Sequence, residues 1–567
     1  TSYVDAARRG SNFAVGGFPR LALINAPNLP MYNEDGTPYY LAQGLGYGGN
    51  TVFSTFSNPA AILSLGNGLS SDVTRFIGVF YAEATPLKGL SLKTQYGVDY
   101  ARIEEQRFWS PLHGDGVNSK GLANAYNTKN NRWTWTNTAT YNFSLGQNNF
   151  NLLAGTEASE RNNSRWTAQR KDLQDDKFVV FQGPFGSATA GGSLSNNTMV
   201  SYFGRINYDY ASKYIVSLNY RRDGYSALSE KNRWGNFGGV SAAWRFNPLR
   251  NVVDDLKIKG SYGVVGNTDI YDYASKSFYS SYNYGINGTY GLAQIADPNL
   301  KWESSEKYSI GFNARLLDRI SVDFDYYYTK SSDLILDVPQ SPSKGIPGNI
   351  ITTNAGKMKN SGIELTVSAD VIRNSQFTWE TSFNITTNKN KVISLADGVE
   401  NILKGDNGGL EITNITVPGK SIGRLYLYPT AGVDPKSGRR VFITPEGDRT
   451  LLMFEKGGWF YEDGTEYAGE FEPVDCGNTL PTWYGGWTNN FKYKGFDLSL
   501  FFQFSGGNKI YNGTKASVSD MRYWNNSKDV YKRQGLYIQY KELVESCGNL
   551  CTSSLRPGSE PVRDYRL

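Results

Sequence analysis

Three observations predict an all-β chain that crosses a bilayer as an antiparallel barrel. Apolar and polar residues alternate with period two in segment after segment. The connectors between those segments alternate short and long. No apolar run approaches the ~18 residues of a membrane helix, so any crossing must be made by strands.

The alternation is read in chain order. Tyr96, Val98 and Tyr100 share a face against Gln95, Gly97 and Asp99. Trp133, Trp135, Ala139, Tyr141 and Phe143 share the next, against Thr134, Asn142 and Ser144. Tyr202, Ile206 and Tyr208 alternate with Ser201, Arg205 and Asn207, and Val216, Leu218 and Tyr220 follow. Val322, Phe324, Tyr326 and Tyr328 form another face, then Phe377, Trp379, Phe383 and Ile385, and finally Phe496, Leu498, Leu500, Phe502 and Phe504. There are roughly fourteen such segments, many near the ~9–11 residues that a tilted strand needs to span a bilayer. Aromatics at segment ends, such as Trp133, Tyr208, Tyr210 and Tyr328, suit the membrane interfaces.

Short links are expected near 86–90, 145–148, 211–213, 248–254, 316–319, 371–375 and 494–495. Long links are expected at 104–130, 167–197, 223–238, 266–305, 331–360 and 391–482, rich in Gly, Asn, Asp and Ser. A membrane barrel has short periplasmic turns and long outer loops, which gives this succession. A soluble or surface-exposed β-rich adhesin that binds glycans is the alternative, with the same aromatics packing a water-soluble core.

Composition narrows the chemistry. The 567 residues include 39 Tyr, 29 Phe, 12 Trp and 61 Gly but one His and three Cys. That His and Cys content excludes zinc fingers, His-rich metal centres and a disulfide scaffold. With 58 basic and 53 acidic residues the net charge is +5, too balanced to indicate nucleic acid. Neither a cofactor nor a metal is expected. Gly419-Lys420-Ser421-Ile422-Gly423 fits a G-x-S-x-G nucleophile elbow, but the only His, His113, lies upstream and Pro418 disfavours the turn. His113 itself reads as a solvated loop residue, so no catalysis is expected. Acidic clusters at Asn33–Gly36, Asp406–Gly409 and Glu462–Gly464 lack EF-hand spacing and read as tight turns. Cys476 stands alone within the alternating region and supports no mechanism.

Several motifs then occur in one order. They include Ser201-Tyr202-Phe203-Gly204-Arg205-Ile206-Asn207-Tyr208, Arg222-Asp223-Gly224, Asn232-Arg233-Trp234-Gly235 and Leu256-Lys257-Ile258-Lys259-Gly260-Ser261-Tyr262-Gly263. Asp297-Pro298-Asn299-Leu300-Lys301-Trp302-Glu303 is the most specific, followed by Asn354-Ala355-Gly356-Lys357-Met358, Asn388-Lys389-Asn390-Lys391-Val392 and Ala431-Gly432-Val433-Asp434-Pro435. From about Leu21 to Gly513 the chain resembles the SusC/RagA-type TonB-dependent outer-membrane transporters of Bacteroidetes.

That resemblance implies a partial transmembrane barrel, about 14 of an expected 22 strands, with long extracellular loops. It implies outer-membrane lipid as solvent and import of an oligosaccharide or peptide without covalent catalysis. A SusD-like surface lipoprotein would act as lid, and the TonB complex would act through an N-terminal plug and TonB box that this sequence does not contain. Residues 1–528 are expected to be the barrel sequence. Asp529-Val530-Tyr531-Lys532-Arg533-Gln534 matches the translation of a sequencing-library adapter, so residues 529–567 are expected to be adapter-derived or unrelated. Loop aromatics are the candidate substrate contacts: Tyr279, Tyr282, Tyr284 and Tyr290 in one long loop, and Trp459 and Tyr461 in another. Packing of the loops against themselves is the alternative role.

Overall fold

A computed structural model describes residues 30–512, apart from 42–44, 48–49, 54–56, 249–251, 268, 286, 405–411, 437–439, 445, 456–457, 462 and 468–472. The proposed adapter boundary at 528–529, Cys547, Cys551 and the Asp406–Gly409 cluster lie outside the described residues.

Fourteen strands follow one another in a single antiparallel sheet, each paired with its neighbour in sequence. They are β1 Gly68–Leu87, β2 Leu90–Trp109, β3 Leu122–Leu145, β4 Asn148–Leu173, β5 Phe185–Tyr210, β6 Tyr214–Tyr225 and β7 Trp234–Phe246. Then come β8 Val253–Asn267, β9 Glu303–Leu316, β10 Ile320–Ser332, β11 Lys357–Arg373, β12 Phe377–Thr387, β13 Trp483–Tyr493 and β14 Phe496–Gly506. Lys389–Ser394 continues the β12 side of the ladder against Lys357–Ser361 of β11. β1 and β14 form the two edges of this sheet among the described residues.

All seven short links fall where the sequence places them, because local turn chemistry fixes them. Ala211 and Ser212, and again Leu317 and Asp318, take positive φ at both central positions. That is the twist of a type I′ hairpin turn. Gly89 has φ +85°, and a side chain there would collide with the Asn142 carbonyl at 2.1 Å. The register shifts between Ala84 and Leu87, around Pro86, which has no N–H to give the ladder.

The long links are shorter than the sequence suggests. The segment 104–130 is strand as far as Trp109 and again from Leu122, and 167–197 is strand to Leu173 and from Phe185. Alternation fades there because the outer ends of the strands pack a local cluster of Phe108, Ala123 and Leu173, yet the backbone ladder continues. Residues 391–482 are not irregular either. They hold two small antiparallel sheets, Ile402–Lys404, Asn414–Thr416, Arg424–Leu427 and Val474–Gly477 in one, and Thr430–Val433, Arg440–Ile443, Arg449–Glu455 and Gly458–Tyr461 in the other. Cys476, expected to stand alone, is instead disulfide-bonded, and it is buried beside Leu425 and Leu427 in the first.

Register carries each apolar face onto the next strand. Tyr96 pairs with Trp135, Phe143 with Phe150, Phe150 with Tyr208, Ile310 with Tyr326 and Trp487 with Phe502. Toward the short-turn end the rings stack from Tyr141 to Phe143, Phe150 and Tyr208, with centroids 5.1, 4.8 and 5.0 Å apart. Toward the long-loop end Tyr96 stacks on Trp133 at 6.1 Å, and Tyr262 meets Tyr308 at 4.8 Å. These are two interfacial girdles around an apolar band. On β4 the band runs from Phe150 to Ala158, then Glu160 accepts from the Trp133 indole at 3.0 Å. The further 13 residues to Leu173 extend the strand by roughly 40 Å along its own axis past this girdle.

His113 corrects its expectation. It is fully buried, not solvated. Its Nε2 accepts from the Asn58 backbone N–H at 2.8 Å and its Nδ1 lies 2.7 Å from the Leu41 carbonyl, so Nδ1 carries the proton. Asn58 in turn caps the helix Pro59–Ser64. The imidazole therefore ties three loop segments together.

Candidate functional site at the outer mouth

The face opposite the apolar band is polar. Arg221 of β6 donates to Glu157 of β4 at 3.0 Å, to the buried Ser201 hydroxyl of β5 at 2.8 Å and to Asp223 at 2.6 Å. Lys259 of β8 reaches Asp323 at 3.0 Å and Asp325 at 2.6 Å on β10. Arg75 forks onto Asp99. Charges in these numbers belong to a wet interior, whereas lipid would penalise each.

At the long-loop end, three connectors fold inward over this face. Residues 226–233 and 269–302 build an apolar cluster of Ala227, Leu228, Ala274, Leu300 and Trp302 with Tyr225 of β6, and Ile335 of the third connector packs against it. Hydrogen bonds reinforce it. The Trp302 indole donates to the Arg233 carbonyl at 3.0 Å, and Asn232 donates to the Asn299 carbonyl at 2.8 Å. Asn354 accepts from Lys301 N–H at 2.7 Å and donates to the Lys301 carbonyl at 2.8 Å and the Asp333 carbonyl at 2.9 Å. Lys301 also pairs with Asp333 at 2.9 Å, and Thr353 donates to Asp297. The sequence motifs around Asp297–Glu303, Asn232–Gly235 and Asn354–Met358 are thus the staples of one rigid body.

This body is anchored to the neighbouring strands β4 and β5. Asp272 accepts from Arg161 of β4 at 3.1 Å and from Asn197 of β5 at 2.5 Å. Burial pushes the Asp272 carboxyl up, but the bonds from Asn197 and Ser195 and the Arg161 charge outweigh it and hold the pKa below the usual range. Neither Asp272 nor Arg161 stands out in sequence. The only available signal is that Arg161 and Asn197 fall on the polar parity of their strands.

The six aromatic candidates separate into two settings. Phe278–Tyr284 and Asn287–Gln294 form a hairpin that rises from the stapled body. The register opposes Ser281 to Tyr290 and Tyr282 to Thr289, so Tyr279 and Tyr290 share one face and Tyr282 and Tyr284 the other. Tyr284 and Tyr290 are 83% and 81% exposed, and Tyr279 and Tyr282 are exposed as well. Trp459 and Tyr461 lie elsewhere, half-buried against Phe442 and Leu452. Trp459 is edge-on to Phe442 at 5.5 Å, and Tyr461 is edge-on to Tyr467 at 5.7 Å.

Other motifs resolve into local structure. Ser421 donates to Asn478 at 2.8 Å beside the first small sheet, while His113 is bonded to Asn58 and Leu41 instead. The Asn33–Gly36 and Asp463–Gly464 clusters form turns in which Asp35 and Asp463 accept from the N–H two residues on. No group of three or more metal-ligating side chains occurs among the described residues.

A family model described as "TonB dependent receptor-like, beta-barrel" matches residues 20–533. The chain is 30% identical to TonB-dependent receptor P3 of Formosa agariphila, covering 95% of this chain and 59% of that protein. It is 28% identical to TonB-dependent receptor SusC of Bacteroides thetaiotaomicron, covering 91% and 52%. The solved structure of the RagAB peptide transporter is similar in fold, with a TM-score of 0.70 at 24% identity over 85% of this chain and 52% of that one. The chain thus spans about half the length of the relatives it matches.

Proposed function

The chain belongs to the TonB-dependent receptor-like β-barrel family, of SusC/RagA type and outer-membrane location, and on that premise we propose that it forms the wall and mouth of a nutrient importer. Its cargo is an oligosaccharide or a peptide, captured at the outer face and drawn inward when the TonB complex acts on a plug domain. A SusD-like surface lipoprotein closes over the mouth. The protein transports without covalent catalysis. The β1 and β14 edges pair with further strands, because unpaired N–H and C=O groups are not tolerated in lipid.

One observation carries this reading. An outward apolar band with two girdles backs a charged inner face, and the outer loops are stapled inward over that face. Such a wall separates lipid from a wet conduit, which a soluble adhesin does not need. The exposed hairpin tyrosines Tyr279, Tyr282, Tyr284 and Tyr290 offer rings for sugar stacking or for contact with the lid. The packed Trp459 and Tyr461 act through the shape of their loop.

Gene deletion in the host, with growth on defined oligosaccharides or peptides as the sole nutrient, tests the proposal. Loss of growth on one class and its recovery with the full-length gene are expected. Undiminished uptake of every oligomer by the deletion strain would overturn it. Alanine at all four hairpin tyrosines should weaken cargo or lid binding at least several-fold, measured by titration calorimetry on the full-length receptor.

A further inference from the structure

We propose that the outer segment of β5 captures extended peptides by adding them as a further strand to the sheet. β5 pairs with β4 along nearly its whole length, but its pairing with β6 begins only at Met199, opposite Tyr225. Among the described residues, Phe185–Thr198 therefore have a strand on one side alone. Gly186 through Leu194 are exposed without a break.

The direction of the free groups follows from Thr198. Its N–H donates to the Ser226 hydroxyl at 2.8 Å and its carbonyl accepts from Ser226 N–H at 3.0 Å, both on the β6 side. Backbone polarity alternates along a strand, so Ala188, Ala190, Gly192 and Leu194 also turn their N–H and C=O groups to that side, where no strand lies among the described residues. Only another extended polypeptide repeats donors and acceptors at the matching two-residue spacing. A sugar chain does not.

The usual protections of a sheet edge are missing. Between Lys177 and Arg205 there is no charged residue, and Pro184 precedes the strand. Natural edges use charge, proline or bulges to repel a further strand. From Gly186 to Ser193 no side chain is larger than Thr, so a docked strand meets open space on both faces. Affinity would come from main-chain pairing and would tolerate varied sequences. The lower end of the edge stops at the Asn197–Asp272 anchor, so the docked strand would end at the inward-folded loops. This deepens the importer reading by naming a cargo class, yet binding at the edge is separable from import.

The test uses the full-length receptor in detergent and an end-blocked fluorescent octapeptide of alternating Thr and Val. Anisotropy should show saturable binding that is insensitive to salt. The same peptide N-methylated at every residue, which can pair on neither edge, should bind at least tenfold more weakly. Ala190→Pro removes an edge-facing N–H without touching the β4 ladder and should also lose at least tenfold. Amides of Ala188, Ala190 and Gly192 should gain hydrogen-exchange protection only with the unmethylated peptide. Equal binding of both peptides would overturn the proposal. So would protection that rises with receptor concentration alone, which would assign the edge to a second copy. Failure here with uptake of another oligomer intact would leave the importer reading standing.

Discussion

At the scale of single residues, two polar devices define what the fold tolerates. His113 is buried and neutral, its pKa held below 6.5 by burial, with the Leu41 hydrogen bond offsetting part of that push. The unfolded chain therefore binds more protons than the folded one below about pH 6.5. The stability that this latch contributes is full above that pH and is lost as pH falls through the folded value. In the full-length receptor the His113 imidazole resonance, assigned by its loss in His113→Gln, can be followed by NMR, and its midpoint should lie below 6.5. A midpoint at or above 6.5 would contradict the buried latch. The second device occurs twice. Trp135-Thr136-Asn137 and Trp487-Thr488-Asn489 each sit beside a Thr on the neighbouring strand. Thr94 donates to Asn137 at 2.7 Å and receives the Trp135 indole at 3.0 Å, while Thr381 donates to Asn489 at 2.9 Å and receives the Trp487 indole at 2.9 Å. Asn489 is 4% exposed and also accepts from Trp379 at 3.1 Å. These chains satisfy polar groups on the lipid side. Asn489→Leu should destabilise the full-length barrel by about 1–3 kcal/mol by orphaning the Thr and Trp donors, as read from urea unfolding in detergent.

At the scale of elements, the strands and the loops differ in what holds them. Strand faces follow from period two, so every alternating segment in the sequence reappears with its apolar residues on the outer face. The short turns were legible for the same local reason. The inner ends of the long loops were not, because Leu300, Trp302 and Asp272 find their partners more than 60 residues away, at Ser229, Arg233 and Arg161 respectively. Trp302→Ala should cost about 3–5 kcal/mol within the stapled body. Limited proteolysis should then cut residues 226–233, 269–302 and 333–356 together, while the barrel keeps its slow electrophoretic unfolding on heating. Cleavage in one loop alone would show that the three do not form one unit. Of the aromatic candidates, the Tyr hairpin emerged as a loop feature from sequence, but its division into two faces depends on the register of Phe278–Tyr284 against Asn287–Gln294.

At the scale of the whole molecule, the balance of the two faces sets the solvent. The outer band is apolar and ringed, and the inner face holds paired charges, so the protein requires detergent or lipid. Residues 1–567 expressed alone should give oligomers or aggregates in detergent, because β1 and β14 are open edges among the described residues. The full-length receptor should instead run as a discrete, heat-modifiable species. A stable monomer of the shorter chain would mean that the edges close on each other. The sequence by itself determined the all-β class, the number and order of the spanning strands, the outward face of each and the family, since these rest on local alternation and on motifs read in a line. Only the tertiary structure decided that those motifs staple loops together, that His113 is buried, that β4 runs far past its girdle and that β5 carries an unpaired edge among the described residues. Each of these depends on which distant segments meet, and a sheet's register and inward-folded loops fix that while the chain's own periodicity does not.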